Sequence, residues 1–283
     1  MKILVTGCSG QLGFDVIKVL QRRSIECYGA SRQDFDLLDF PASRQFLEEY
    51  KPDVLIHCSA YTAVDKAEDE PELCRMVNAG ASRNLAEVCR DIKAKMIYIS
   101  TDYVFAGEGE DFYETDAPKL PKNVYGQTKL AGELAVQSIL PEHFIVRISW
   151  VFGINGRNFV KTMLQLGKTH AELTVVKDQI GSPTYTADLA ELLADMAMTE
   201  KYGVYHATNE GVCSWAEFAS EIFRQAQLEV KVMPVGSSAY PTKASRPHNS
   251  RMSKQSLKVS GFKCLPVWQD AVGRYLKELQ VES

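Results

Sequence analysis

The chain has 283 residues, a formal net charge of −4, 45% hydrophobic residues and 24% charged residues. That length sustains a full hydrophobic core in one large domain or two modest ones, and the composition excludes wholesale disorder. The charge is uneven: from Val230 to Gln269 there is no Asp or Glu but seven basic residues, while 25 basic and 36 acidic residues make up the rest. An acidic protein with one basic segment argues against nucleic acid and anionic membrane as partners, yet suits one small anion held locally.

Apolar runs and amphipathic stretches alternate along the first two-thirds. Strands are predicted over 2–6, 26–29, 54–58, 95–100 and 143–151. Helices are predicted over 11–23, 42–50, 71–91 and 124–140. Such alternation implies a doubly wound parallel sheet, a Rossmann-type α/β fold with helices on both faces. After Gly153 the rhythm changes. Helices at 158–169, 214–227 and 267–279 and extended runs at 173–177 and 230–235 read as a smaller α/β C-terminal substrate lobe. The expected organisation is a dinucleotide-binding domain over 1–153, with 184–209 returning to it, and a discontinuous lobe over 154–283. There is no run of about 18 apolar residues, and the apolar stretch after Met1 is too short for a signal peptide. Seven cysteines without a Cys-x-x-Cys pair read as reduced thiols of a cytoplasmic protein. The five histidines lack ligand spacing, so no metal site is expected.

Gly7, Gly10 and Gly13 form G-x-x-G-x-x-G between the first strand and the first helix, enclosing Gln11 and Leu12. Glycines there permit a tight turn and close approach to a pyrophosphate, which then faces the free N–H groups of the helix. Arg32 lies 19 residues after Gly13, where an arginine suits the 2′-phosphate of NADP and an acid suits the ribose of NAD. Asp34 is the competing candidate, so NADPH is favoured and NADH stays open.

Of twelve tyrosines, only Tyr125 has a lysine four residues later, Lys129. On a helix both face one side, and a neighbouring ammonium lowers a phenol's pKa from about 10. Thr101, at the end of the fourth strand, sits where α/β sheets bind ligands and can hydrogen-bond a reacting carbonyl.

These features together resemble the extended short-chain dehydrogenase/reductase superfamily and, within it, the dTDP-4-dehydrorhamnose reductase family. The matching stretches run over nearly the whole chain: 7–13, 60–68, 100–105, 125–133, 147–152, 178–184 and the Arg-Pro-His-Asn-Ser string at 246–250. The resemblance implies NADPH-dependent reduction of the C4 ketone of a dTDP-linked 4-keto-6-deoxy sugar, on a monomer or homodimer. It implies Tyr125 as proton donor, Lys129 as ribose ligand and Thr101 as the group polarising the carbonyl. Asp36 and Leu37 would meet the adenine, and Ala60, Tyr61 and Thr62 would line the dinucleotide cleft. Asp102, Tyr103, Trp150, Asn158 and Arg246 would serve the substrate, with a structural capping role preferred for Asp102 and for Asp65. Lys254, Lys258 and Lys263 are expected on solvent. The chain departs from the family pattern at Lys243, where proline is usual, and at Ser245, where a second basic residue is common. Some relatives bind a divalent ion at a dimer contact in which Asp15 could take part, but the segment after Thr184 aligns poorly with such a site. The alternatives are another nucleotide-sugar 4-ketoreductase, an epimerase, or a non-catalytic subunit like that regulating methionine adenosyltransferase. A 4,6-dehydratase is disfavoured because Tyr103 stands where a carboxylate is needed.

Overall fold

The structure is a computed structural model in which residues 1–281 are described. Strands β1 (Lys2–Thr6), β2 (Glu26–Ala30), β3 (Val54–His57), β4 (Lys95–Thr101) and β5 (His143–Ile148) join a late strand, Gly203–His206, in one six-stranded sheet. All neighbours are parallel, in the order Gly203–His206, β5, β4, β3, β1, β2. The inner strands are largely apolar because both faces are covered, whereas the edge strand β2 leaves Glu26 and Tyr28 exposed. Ile3, Val5, Ile56 and Ile97 pack under helix α1 (Gln11–Arg22) and the Thr186–Ala197 helix. Leu4, Leu55, Met96 and Ile145 pack under α2 (Phe40–Tyr50), Ala81–Ile92 and Val124–Ile139. This is the doubly wound Rossmann arrangement. The chain runs outward from β1 to β2, then returns across β1 to β3. The resulting switch point opens a crevice at the carboxyl ends of β1 and β3, where such sheets bind ligands.

A smaller lobe covers that end of the sheet. Helices Phe159–Gly167, Trp215–Gln225 and Trp268–Val281 pack with the parallel pair Glu172–Val176 and Lys231–Val235. Their shared core includes Met163, Phe218, Phe223, Trp268 and Tyr275. Ser214 and Glu217 close a reciprocal capping box at the start of the second of these helices. Among the described residues no helix is long and apolar enough to cross a membrane.

Two elements differ from the sequence reading. The strand predicted over 143–151 stops at Ile148, because Trp150 is left-handed at φ 49°. Val151–Phe152 then pairs with Thr184–Tyr185, outside the main sheet. The helix predicted over 71–91 is interrupted by a π-helical turn, Met76–Gly80, and such turns are frequent at functional sites.

Candidate active site

The glycine loop turns at Gly7, where φ is +69°, and a side chain there would meet the Ser59 backbone nitrogen at 2.9 Å. A Cβ at Gly13 would lie 2.3 Å from the Gly7 carbonyl oxygen, so Gly13 lets α1 pack directly beneath the turn. Gly10 is the N-cap of α1 and offers no side-chain cap. The first N–H groups of α1 are therefore available to an anion. Above the turn opens a cleft of 850 Å³, lined by Gly7, Gly10, Gln11 and Leu12, by Arg32, Asp36 and Leu37, and by Ala60, Tyr61 and Thr62. It ends at Thr101, Tyr125 and Lys129. Gly13 supports this cleft from below without lining it.

Arg32 is exposed on the rim. Asp34 is committed elsewhere: its carboxylate accepts from the Tyr28 hydroxyl at 2.5 Å, the Ser31 backbone at 2.7 Å and the Ser31 hydroxyl at 2.8 Å. The Tyr28 bond is the main reason its carboxyl is held below the usual range. Arg32 rather than Asp34 is the charged group presented to the cleft.

Tyr125 stands in the first turn of the Val124–Ile139 helix, which Asn123 caps by accepting from the Gly126 N–H at 2.7 Å. Lys129 lies one turn on and is 2% exposed. Its Nζ donates to the Ile99 carbonyl at 2.7 Å and lies 4.0 Å from the centre of the Tyr98 ring. Burial brings its pKa down to about 7, against a smaller opposing effect of Glu133. The sequence reading put the Tyr125 phenol below its ordinary pKa. In the structure the phenol is raised well above it. Burial dominates, and the hydrogen bond with Thr101 pulls only partly the other way. A lysine that is itself desolvated, and turned to a carbonyl and a ring, is a weak counter-charge.

Thr101 caps the short turn Asp102–Val104 by accepting from the Tyr103 N–H at 3.2 Å, and it donates to Asp102 Oδ1 at 2.9 Å. Asp102 is 3% exposed, and burial pushes its carboxyl up to about 6. The Tyr103 ring meets Tyr125 edge-on at 5.4 Å.

A second cleft, of 800 Å³, lies between the sheet and the lobe. Asp102, Tyr103 and Trp150 line both clefts, which therefore meet at the end of β4. The far wall is apolar, with Phe159, Met163, Leu173 and Val175. Trp150 stacks on Trp215 with ring centres 3.8 Å apart; the left-handed turn at Trp150 places it there. Arg246 lines the opposite side. It donates to the Tyr103 hydroxyl at 3.3 Å and pairs with Asp65.

Two sequence-stretch assignments need correcting. Asn158 lies outside both clefts and does not face the substrate space. It caps the Phe159–Gly167 helix by accepting from the Lys161 N–H at 3.0 Å, and its amide donates to Gln11 Oε1 at 3.0 Å and to the Gly153 carbonyl at 2.8 Å. It therefore ties the lobe to the glycine loop. Lys254 is not on solvent. It is 6% exposed and donates to the Ser182 hydroxyl at 3.3 Å, with burial bringing its pKa down to about 8. Asp15, the residue weighed for an ion site, is 2% exposed and accepts from the Thr186 hydroxyl.

Two residues of the site, Asn78 and Ser250, had no role in the sequence reading, and the partner of Asp65, read there as a structural acid, was not foreseen. Asn78, in the π-turn, accepts from the Tyr61 N–H at 2.8 Å and donates to the Thr128 hydroxyl at 3.1 Å. It joins the dinucleotide cleft to the helix bearing Tyr125 and Lys129. Ser250 donates to Asp102, and Asp65 holds Arg246.

The family described as the RmlD substrate binding domain has a model that matches residues 1–281. The spore coat polysaccharide biosynthesis protein SpsK of Bacillus subtilis (strain 168) is 38% identical over 98% of this chain and 97% of that protein. A dTDP-4-dehydrorhamnose reductase of Streptomyces griseus is 41% identical over 95% of this chain and 91% of its own length. The crystal structure of dTDP-4-dehydrorhamnose reductase from Bacillus anthracis str. Ames, in complex with NADP, superimposes with a TM-score of 0.95 at 40% identity, covering 98% of this chain and 99% of that one.

Proposed function

Because the chain belongs to the RmlD substrate binding domain family, we propose that it is an NADPH-dependent oxidoreductase. The reaction is reduction of the C4 ketone of dTDP-4-dehydro-L-rhamnose to dTDP-L-rhamnose. The observation that carries this reading is the meeting of a dinucleotide cleft and a nucleotide-sized cleft at Asp102, Tyr103 and Trp150, with Thr101 and Tyr125 lining the dinucleotide side. Relatives bearing the reductase name, and a neighbour crystallised with NADP, support it. The glycine cradle, which a Cβ would fill, and the available Arg32 fit NADPH. NADPH, when bound, supplies the hydride.

The residues of the chain do the rest. Thr101 hydrogen-bonds the substrate carbonyl oxygen and keeps its own proton. Tyr125 delivers a proton to that same oxygen as negative charge develops on it. Burial keeps the phenol protonated at neutral pH but makes it a weaker acid, so its proton moves only as negative charge builds on the carbonyl oxygen. Lys129 holds the ribose and, once charged, supports the phenolate left behind. Trp150, stacked on Trp215, walls the sugar, and Arg246 meets the diphosphate. We place this chemistry in the cytoplasm, on a monomer or homodimer, with neither nucleic acid nor membrane as a partner.

The test is NADPH oxidation followed with dTDP-, UDP- and GDP-linked 4-keto sugars. Turnover with the dTDP-4-dehydro-L-rhamnose substrate and its loss in Tyr125→Phe are expected. No turnover with that sugar alongside activity on another would reassign the substrate. Full activity of Tyr125→Phe would remove the phenol from the reaction.

A further inference from the structure

Ser250 belongs to the lobe, not to the sheet that carries the reacting groups. Its short strand, Asn249–Ser250, pairs in parallel with Ile180–Gly181. The side chain crosses to the sheet side and donates to Asp102 Oδ2 at 2.5 Å, with Ser250 2% exposed and Asp102 3% exposed. Thr101 donates to the other oxygen of the same carboxylate at 2.9 Å. One buried carboxylate thus receives two hydroxyl protons, one from each half of the molecule.

Thr101 has a single proton to give. If it is to polarise a carbonyl, it must let go of Asp102. Losing a hydroxyl donor is costly for a buried carboxylate even with the Asp102 and Tyr103 N–H groups of its own turn still facing it, so the second hydroxyl, which contributes more than either, governs how open that exchange is. We propose that Ser250 is a positioning residue for carbonyl reduction: it keeps Asp102 satisfied while Thr101 turns its proton to the substrate. This rests on the reductase reading above. Arg246, four residues earlier, is bonded to Tyr103. The segment that meets the nucleotide's diphosphate therefore also secures the carboxylate beside the reacting hydroxyl.

The groups around Asp102 are Thr101 and Tyr103 on its own turn, Tyr125 from the tyrosine helix, Ser250 from the lobe, and Arg246 with Asp65 beyond Tyr103. Lys129, turned to Ile99, titrates in a neighbouring range. Asp102→Asn separates the two, because only the limb belonging to Asp102 disappears with it.

Ser250→Ala is expected to lower kcat about tenfold, the loss of one charge-assisted hydrogen bond. The KM for the nucleotide sugar and the Kd for NADPH should stay within about twofold. The acid limb that Asp102→Asn abolishes should move up by about one pH unit. In the Asp102→Asn background, Ser250→Ala should add less than about twofold. Wild-type kcat and an unmoved acid limb in Ser250→Ala overturn the proposal. So does an undiminished Ser250→Ala effect in the Asp102→Asn background. Unchanged NADPH affinity verifies that the variant is folded. Should Ser250→Ala fail to fold, an acid limb retained in Asp102→Asn overturns the proposal by itself. The wild-type protein in the same assay separates the two readings: if it does not turn over, the reductase function fails, whereas normal wild-type turnover with an unaltered variant removes only Ser250.

Discussion

Arg32→Ala tests the cofactor choice through one exposed side chain. Arg32 lines the rim of the dinucleotide cleft, while the neighbouring acid, Asp34, is spent on Tyr28 and Ser31. The 2′-phosphate of NADPH is the only part of the cofactor absent from NADH, so this arginine should contribute to one cofactor and not the other. A hydrogen-bonded contact to a charged group is worth about 1.5–3 kcal/mol. Exposure to solvent and salt puts Arg32 at the low end. About 1.5 kcal/mol corresponds to roughly tenfold in kcat/KM. The measurement is the initial rate over a range of NADPH and of NADH at fixed sugar, at low and at raised salt. The expected outcome is a kcat/KM for NADPH about tenfold lower, less so in salt, and a kcat/KM for NADH within about twofold of wild type. An equal loss for both cofactors would show that Arg32 supports the fold of the rim. No loss for either would place the 2′-phosphate elsewhere.

On the proposed reading, Arg246→Ala should raise the KM for the nucleotide sugar about tenfold, through loss of a charge-assisted contact to the diphosphate, while NADPH affinity holds; an unchanged KM returns Arg246 to a role in loop packing. Glu133→Ala strands Arg147, whose guanidinium is 1% exposed and forks onto Glu133 at 2.9 and 2.7 Å. Urea unfolding should show a loss of about 3–5 kcal/mol, whereas Glu172→Ala, at an exposed pair with Lys231, should change little; equal effects would mean the buried pair is not special. Acid should also weaken the fold. Burial brings both His57 and His206 down to about 3. The unfolded chain therefore binds the extra protons between about pH 6.5 and 3, and stability falls as pH drops through that window. Each histidine contributes about 2 kcal/mol of loss at pH 5 relative to pH 7. Asp102, raised by burial, works in the opposite sense over part of the range. Urea midpoints at pH 5 and 7 measure the sum, and a His206→Asn variant with an equally steep fall would refute the assignment.

The parts of the site that could be read in the sequence are those whose partners lie within one turn or one loop. The glycine loop is seven residues, and Tyr125 and Lys129 are one helical turn apart. Their geometry follows from local backbone rules, and the dinucleotide cleft contains nearly every residue so assigned. Asn158 had a local signal too, an Asn directly before an apolar helical run, which marks an N-cap. Family likeness outweighed that signal and pointed it at the substrate. The pairings that were missed act across long separations. Asn78 reaches Thr128, Asp65 reaches Arg246, and Asp102 reaches Ser250. No period or spacing encodes such pairs, because each requires the sheet order and the docking of the lobe to be known first. The end of β5 was misplaced for a related reason: nothing local forces an L-residue such as Trp150 into a left-handed turn. What holds it there is tertiary, the stacking on Trp215 and the pairing of Val151–Phe152 with Thr184–Tyr185.

The acid-free stretch from Val230 to Gln269 takes on a different meaning once folded. Four of its seven lysines and arginines are answered by acids from distant parts of the chain: Lys231 by Glu172, Lys243 by Asp69, Arg246 by Asp65 and Lys258 by Glu210. For these four residues the segregation of charge along the sequence becomes pairing with acids in the fold. Two of those pairs, Lys243 with Asp69 and Arg246 with Asp65, strap the lobe's loop onto the segment that follows β3, and the Ala244 N–H adds a bond to Asp65 at 3.0 Å. Lys243, which departs from the family pattern, thus has a local physical reason to be basic. It also limits what Arg246 can contribute. Its charge is already partnered before any diphosphate arrives, so its net gain on binding is the difference between two anions rather than the full worth of one. The same acid holds the guanidinium at the cleft wall, which spares the substrate the cost of ordering it.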